Sequence, residues 1–267
     1  MFKNIFAIAV LSIVLFSCHR NNIHEKKEWA TIYKNNGIDS GGIEILDQSK
    51  ERIFYYNKNW ISKRMCPAST FKIFNSLVAL ESDVAPNEDM ILKWDGIKRR
   101  DEWNKDMNMR EAFKVSCVPY YQELARRIGK PEMQKWLDTV KYGNKIIGGK
   151  IDEFWLNNSL QITPDEQVGF LKKLYFDELP FSKRTQRIVR TLMLQEETPK
   201  YKLYYKTGTN DVTGKDNAWI VGFIEDSTMH PYFFANNIET TDTSMNLMKT
   251  RIKITKEIFQ SMGILPK

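Results

Sequence analysis

Apolar positions keep a period of two near both ends of the chain and a period near 3.6 through its middle. Gly41-Gly42-Ile43-Glu44-Ile45-Leu46 and Arg52-Ile53-Phe54-Tyr55-Tyr56 read as strands joined by the polar turn Asp47 to Glu51. A short amphipathic segment around Trp29 to Tyr33 precedes them. Helical spacing dominates from Ser69 to about Phe181, interrupted by loops at Pro86 to Asp89 and Gly143 to Lys150. Strand character returns in Lys202 to Lys206, Ala218 to Ile224 and Tyr232 to Ala235, with a turn-rich loop, Asn210 to Asp216, between the first two. A last amphipathic helix spans Ser244 to Met262 and is stopped by Gly263 and Pro266. Strands at both ends with helices between them imply an α+β fold. Its sheet is antiparallel, built from both termini and flanked by helices, with an inserted, mainly helical lobe at about residues 76–185.

Within the helical stretch, Phe71, Phe74, Leu77 and Val78 mark a buried helix that opens just after Pro67. Ser69 falls in its first turn, and Lys72 lies one turn on, on the same face. A serine hydroxyl is a poor nucleophile until a base takes its proton, and a lysine kept from being an ordinary ammonium by burial is such a base. The backbone N–H of Ser69, near the positive end of the helix, is also placed to face an oxyanion. Alone, Ser-x-x-Lys arises by chance about once in a chain of this size, so its weight comes from what accompanies it.

The 267 residues, 42% hydrophobic and 12% aromatic, suffice for one domain or two closely packed lobes. A formal charge of +7 raises nucleic acid as a partner. No long Lys/Arg run and no basic stripe with interleaved aromatics supports it, so a solvated basic surface is the reading kept. At the start, Lys3 is followed by an apolar run from Ile5 to Phe16 and then Ser17-Cys18, too short to span a bilayer. It resembles a bacterial lipoprotein signal over residues 1–17, with Cys18 carrying lipid and residues 18–27 forming a tether to a domain at 28–267. A plain secretory signal or an uncleaved anchor is the alternative. In each case the chain is exported. The first reading makes it a periplasmic, membrane-anchored lipoprotein of a Gram-negative-type bacterium, touching membrane only through that lipid. Cys66 and Cys117 remain. Pairing is open to them, but sequence nearness does not deliver disulfide geometry, which favours two free, buried thiols. The three histidines, His19, His24 and His230, lie far apart and give a zinc site little support.

Four further stretches carry chemistry. Lys206-Thr207-Gly208 ends a strand and offers a charge, a hydroxyl and a glycine that lets backbone approach a ligand. Ser116-Cys117-Val118 offers a hydroxyl for proton relay and a dry wall. Tyr142-Gly143-Asn144 reads as a turn. Trp155, in Phe154-Trp155-Leu156, is either core or a donor to a buried anion. In the order Pro67-Ala68-Ser69-Thr70-Phe71-Lys72, Ser116-x-Val118, Tyr142-Gly143-Asn144, Phe154-Trp155, Lys206-Thr207-Gly208 and Trp219-x-Val221-Gly222, the chain resembles the class D, or oxacillinase-type, serine β-lactamases from about residue 28 to 263.

That resemblance implies the penicillin-recognising fold and a hydrolase that opens β-lactam antibiotics, penicillins foremost, and so confers resistance. It implies no cofactor except CO2 or bicarbonate, which carboxylates Lys72 to N6-carboxylysine, the general base. Trp155 then donates to the carboxylated lysine, and Val118 helps to wall it. Ser69 attacks, backbone N–H groups of Ser69 and Thr209 hold the oxyanion, and Ser116 with Lys206 passes a proton to the ring nitrogen. Arg251 with Thr207 takes the substrate carboxylate beside Gly208. Cys117 and Cys66 depart from the family's usual residues, and Thr209 stands where the family often carries a bulkier one. Two other classes compete: a non-hydrolytic β-lactam sensor or penicillin-binding domain that stays acylated, and a peptidoglycan carboxypeptidase or transpeptidase. One short signal in place of several membrane spans weighs against the sensor. Ser116-x-Val118 and Trp155 weigh against the peptidoglycan enzyme.

Overall fold

The structure is a computed structural model that describes residues 22–266 except 212–215 and 243. The signal, Cys18 and the first part of the tether lie outside the described residues. Among those described, the strands are β1 (Ile23–Glu25), β2 (Ser40–Asp47), β3 (Arg52–Tyr56), β4 (Leu194–Glu197), β5 (Tyr201–Asn210), β6 (Asp216–Asp226) and β7 (Pro231–Thr240). The helices are α1 (Ala30–Asn35), α2 (Lys58–Ile61), α3 (Lys72–Glu81), α4 (Met109–Lys114), α5 (Val118–Ile128), α6 (Lys130–Val140), α7 (Pro164–Tyr175), α8 (Lys183–Met193) and α9 (Leu247–Ser261).

The strands form one sheet in the order β1-β3-β2-β7-β6-β5-β4. The two ends of the chain meet where β2 pairs antiparallel with β7, Ile45 opposite Phe234. All pairs are antiparallel except one: Ile23–Glu25, in the stretch read as tether, runs parallel to β3. β1 and β4 are too short to show a period in the sequence, and both sit at edges.

β6 is buried on both faces, which explains its unbroken apolar run Ala218 to Ile224. Its Ile220 and Ile224 pack with Ile43, Ile45 and Phe234 under α1 and α9. On the other face, Trp219, Val221 and Phe223 join the larger core of the helical lobe. α3 runs through the middle of that lobe and is buried from Lys72 to Leu80. A helix enclosed on all sides has no polar face to show. The lobe's helices extend further than expected, from Lys72 to Met193. Its loops are longer too, residues 82–108 and 141–163, the first holding a 3-10 turn at Asp101–Trp103.

At Gly222 of β6 the backbone of β5 leaves no room for a side chain. A Cβ there would stand 1.9 Å from the Tyr204 carbonyl oxygen. Backbone cannot retreat from backbone without parting the ladder, so Gly222→Ala is expected to cost roughly 3 kcal/mol or more. A urea midpoint equal to that of the wild type would show that the strands accommodate the methyl group.

Candidate active site

The helix expected just after Pro67 begins as a 3-10 turn, Ala68–Phe71, and becomes α3 at Lys72. Ala68 sits at φ +48°, in the left-handed region, which blocks a regular α-helical start. The turn leaves Ser69 half-buried at the open end of α3. Lys72 Nζ donates to Ser69 Oγ at 2.7 Å. Lys72 is 0% exposed, and burial lowers its pKa to about 7, with the nearby Arg100 charge acting in the same direction and Cys117 opposing.

β5 brings the second group of residues. Lys206-Thr207-Gly208 lies inside this strand and not at its end, because pairing with β6 continues to Asn210 opposite Asn217. On its other edge, β5 is paired with β4 only as far as Tyr204. The 3-10 turn of Ser69 occupies the edge beyond. A Cβ at Gly208 would meet Pro67 O at 2.8 Å and the Ser69 and Thr70 nitrogens at 3.1 Å each. Glycine is required here for closeness, since only a bare backbone lets the strand lie against the turn.

Lys206 Nζ donates to Ser116 Oγ at 2.9 Å and to Thr207 O at 3.0 Å. Burial and, after it, the charges of Lys72 and Arg251 hold its pKa well below the ordinary lysine value. Ser116 itself is held at φ +55° between α4 and α5. Cys117 stands just before α5 without a side-chain capping bond, and Val118 is the helix's first residue, half-buried. From α9, Arg251 Nη1 donates to Gly208 O at 2.6 Å and Thr209 Oγ1 at 2.7 Å. Burial lowers the Arg251 pKa to about 10. Thr207 is half-buried and Thr209 exposed. None of Lys72, Lys206 and Arg251 is paired with a carboxylate among the described residues.

Trp155 is wholly buried and stacks on Phe71, with centroids 5.1 Å apart. Its Nε1 has no hydrogen-bond partner. Its backbone oxygen accepts from Cys66 Sγ at 3.0 Å. Both Cys66 and Cys117 are free, buried thiols. Tyr142 packs on Phe71 and Phe74, and the Asn144 side chain closes the turn by donating to Ser159 O at 2.8 Å. Among the described residues no group of His, Cys, Asp and Glu is arranged to hold a metal.

Two site neighbours were missed from the sequence. The Tyr121 ring lies 5.4 Å from Lys72 Nζ, and its hydroxyl is 2.9 Å from Ser76 Oγ. The Phe113 ring is 5.6 Å from Lys206 Nζ. Pro119, marking a helix start, was the available signal for Tyr121: it puts Cys117 and Tyr121 one turn apart on one face.

The penicillin binding protein transpeptidase domain model matches residues 29–262. A probable β-lactamase, YbxI of Bacillus subtilis, is 40% identical over 99% of each chain. β-Lactamase OXA-48 of Klebsiella pneumoniae is 38% identical over 96% of each. The solved class D β-lactamase YbXI from Nostoc is 42% identical with a TM-score of 0.86, covering 90% of this chain and 100% of its own. The chain belongs to the class D β-lactamases. This class D β-lactamase is therefore a hydrolase, and its sheet with flanking helices is the penicillin-recognising fold.

Lys72 in this β-lactamase makes the fold's stability depend on pH. The unfolded chain takes a proton on Lys72 below about pH 10.5, whereas the folded chain declines it until about pH 7. Stability is lost as pH falls through that window and stays lower beneath it. Lys72→Met is therefore expected to raise Tm in CO2-depleted buffer, most at and below about pH 7, with the gain vanishing toward pH 10.5. A Tm change that is the same at every pH would show that burying this amine carries no such cost.

Proposed function

We propose that the chain hydrolyses β-lactam antibiotics through an acyl-enzyme on Ser69, with N-carboxylated Lys72 as general base. The observation that carries this reading is a fully buried Lys72 amine, 2.7 Å from Ser69 Oγ, together with a Trp155 indole that stacks on the preceding residue, Phe71, and whose N–H is buried without an acceptor among the described residues. An amine with a pKa of about 7 is substantially neutral at physiological pH, the form that traps CO2. Trp155 Nε1 fits as donor to the resulting anion, because a buried charge needs partners and a buried donor needs an acceptor. Carboxylated, Lys72 supplies an anionic oxygen base for the Ser69 proton in acylation and for the proton of water in deacylation. Val118 and Tyr121 exclude solvent from its side chain.

The other residues bind, orient and move protons. The N–H groups of Ser69 and Thr209 face the developing oxyanion across the close contact at Gly208. Ser116 passes its proton to the ring nitrogen and recovers one from Lys206, its hydrogen-bond partner at 2.9 Å. Arg251 and Thr207 hold the substrate carboxylate. Arg251 Nη1 is already fixed by Gly208 and Thr209, so its charge is presented in one place without reordering. The apolar run before Cys18 supports an exported, lipid-anchored periplasmic protein whose activity confers β-lactam resistance.

Intact-mass spectrometry of the soluble domain mixed with benzylpenicillin tests the reading. A transient adduct on Ser69, with hydrolysed drug accumulating many-fold over protein, is expected. An adduct that forms once and persists would instead make the chain a sensor or penicillin-binding domain. Turnover should also fall in CO2-depleted buffer as pH drops through about 7, where Lys72 protonates, and recover with bicarbonate. Rates indifferent to bicarbonate would remove the carboxylated lysine from the mechanism.

Trp155→Phe separates packing from chemistry, since it keeps a ring against Phe71 and removes the N–H. Acylation should continue while deacylation slows by about 100-fold or more, giving an adduct that accumulates. Deacylation at the wild-type rate would reduce Trp155 to a core residue.

A further inference from the structure

One exposed cation of the helical lobe takes no part in the reaction. Arg100 lies in the long loop between α3 and α4, with its guanidinium 4.9 Å from the centre of the Trp103 ring. Trp103 is itself anchored: its Nε1 donates to Val115 O at 3.0 Å, the residue just before Ser116, and its ring packs against the lobe's core. A flexible, exposed side chain is thus fixed over an indole that is tied to the segment carrying Ser116.

Several neighbouring charges are satisfied locally, whereas Lys98 in the loop and Lys114 in α4 share with Arg100 the lack of a carboxylate partner among the described residues. Arg99 grips Asp95 through both amino groups at 2.9 and 2.8 Å, Lys93 pairs with Asp106 at 2.7 Å, and Arg110 pairs with Glu88 and Asp89. Arg100 has no carboxylate partner among the described residues, and neither Asp101 nor Glu102 pairs with it. Its charge is also felt inside the cleft, where it helps to lower the Lys72 pKa. A cation over an aromatic face is held in a set place and is less hydrated than a free side chain, which suits it to meet a planar carboxylate.

We propose that Arg100, stacked on Trp103 at the rim of the cleft, selects for β-lactams that carry a second carboxylate on a side chain, beyond the ring carboxylate assigned to Arg251 and Thr207. This rests on the hydrolase reading above and names a substrate class for it. Rim charges act mainly on encounter and on discrimination between ligands, and salt screens them.

Benzylpenicillin and its α-carboxy derivative differ by one carboxylate, which makes them the probe pair. The second-order acylation rate of each is measured by intact mass, separately from turnover, on wild type, Arg100→Gln, Arg100→Glu and Arg100→Lys. The ratio of the two substrates cancels any common effect of Arg100 on Lys72. At low ionic strength, Arg100→Gln is expected to lower the ratio for the dianionic substrate about fivefold. Arg100→Glu should lower it further, Arg100→Lys should retain most of it, and added salt should shrink the wild-type preference. An unchanged ratio in both the Gln and Glu variants overturns the proposal even if hydrolysis is rapid. Acylation that shows the shift but never turns over would sink the hydrolase reading while leaving the selectivity intact. Absence of any adduct with either penicillin overturns both.

Discussion

An amine taken out of water without a counter-ion is the constraint around which this molecule is arranged. Lys72, Lys206 and Arg251 are all buried, and desolvation is the leading cause of each depressed pKa. Mutual repulsion adds to it, since Lys72 and Arg251 both act on Lys206. A buried charge is costly unless paired. Three such groups lie near one another, and none is paired with a carboxylate among the described residues.

Side-chain hydrogen bonds, most of them to backbone carbonyls, hold these groups in place. The Cys66 carbonyl accepts from Trp219 Nε1 at 2.9 Å and from Asn210 Nδ2 at 3.4 Å, so β6 and β5 both fix the approach to the Ser69 turn. Inside the turn, Thr70 Oγ1 donates to Pro67 O at 2.7 Å and accepts from Gln167 of α7 at 3.0 Å. Those bonds hold Ala68 in its left-handed conformation, which an alanine adopts only when its surroundings over-determine it. Ser116 is held in the same region of backbone space. The two serines whose hydroxyls receive lysine hydrogen bonds are thus set by imposed backbone geometry.

Much of this was legible in residue order. Strand period, helical period and the Pro67-to-Lys72 motif located the sheet, the lobe and the Ser69–Lys72 pair, because these depend on spacing within one segment. What depends on contacts across segments was not legible. The β5 strand runs on past Gly208 because β6 pairs with it there, which no local pattern at Lys206-Thr207-Gly208 reveals. β1 and β4 exist because their neighbours offer an edge. Tyr121 reaches Lys72 only after α5 is laid against α3, and its own surroundings in sequence are those of an ordinary helical tyrosine.

The basic side chains of Lys206 and Arg251 lie on opposite faces of β5, one set against each layer of helices. Lys206 points into the lobe, toward Ser116 and Phe113. Arg251 comes from α9 on the far face and bonds Gly208 and Thr209. The far face is held by its own polar chain: Tyr33 donates to Asn236 Oδ1 at 2.8 Å, Asn236 Nδ2 to Thr255 Oγ1 at 2.9 Å, and Thr255 Oγ1 to Arg251 O at 2.8 Å. The next residue of β7, Asn237, faces the lobe side and exchanges two bonds with Asn217, at 3.0 and 2.9 Å, while accepting from Trp60. Asn236 therefore fastens α1 and α9 to β7, while Asn237 ties β7 to β6 and to α2. Because each bond is buried and matched, losing either asparagine leaves its partners unsatisfied, and displacement of α9 would take the Arg251 guanidinium from Gly208 and Thr209, whereas displacement of the lobe would take Ser116 from Lys206.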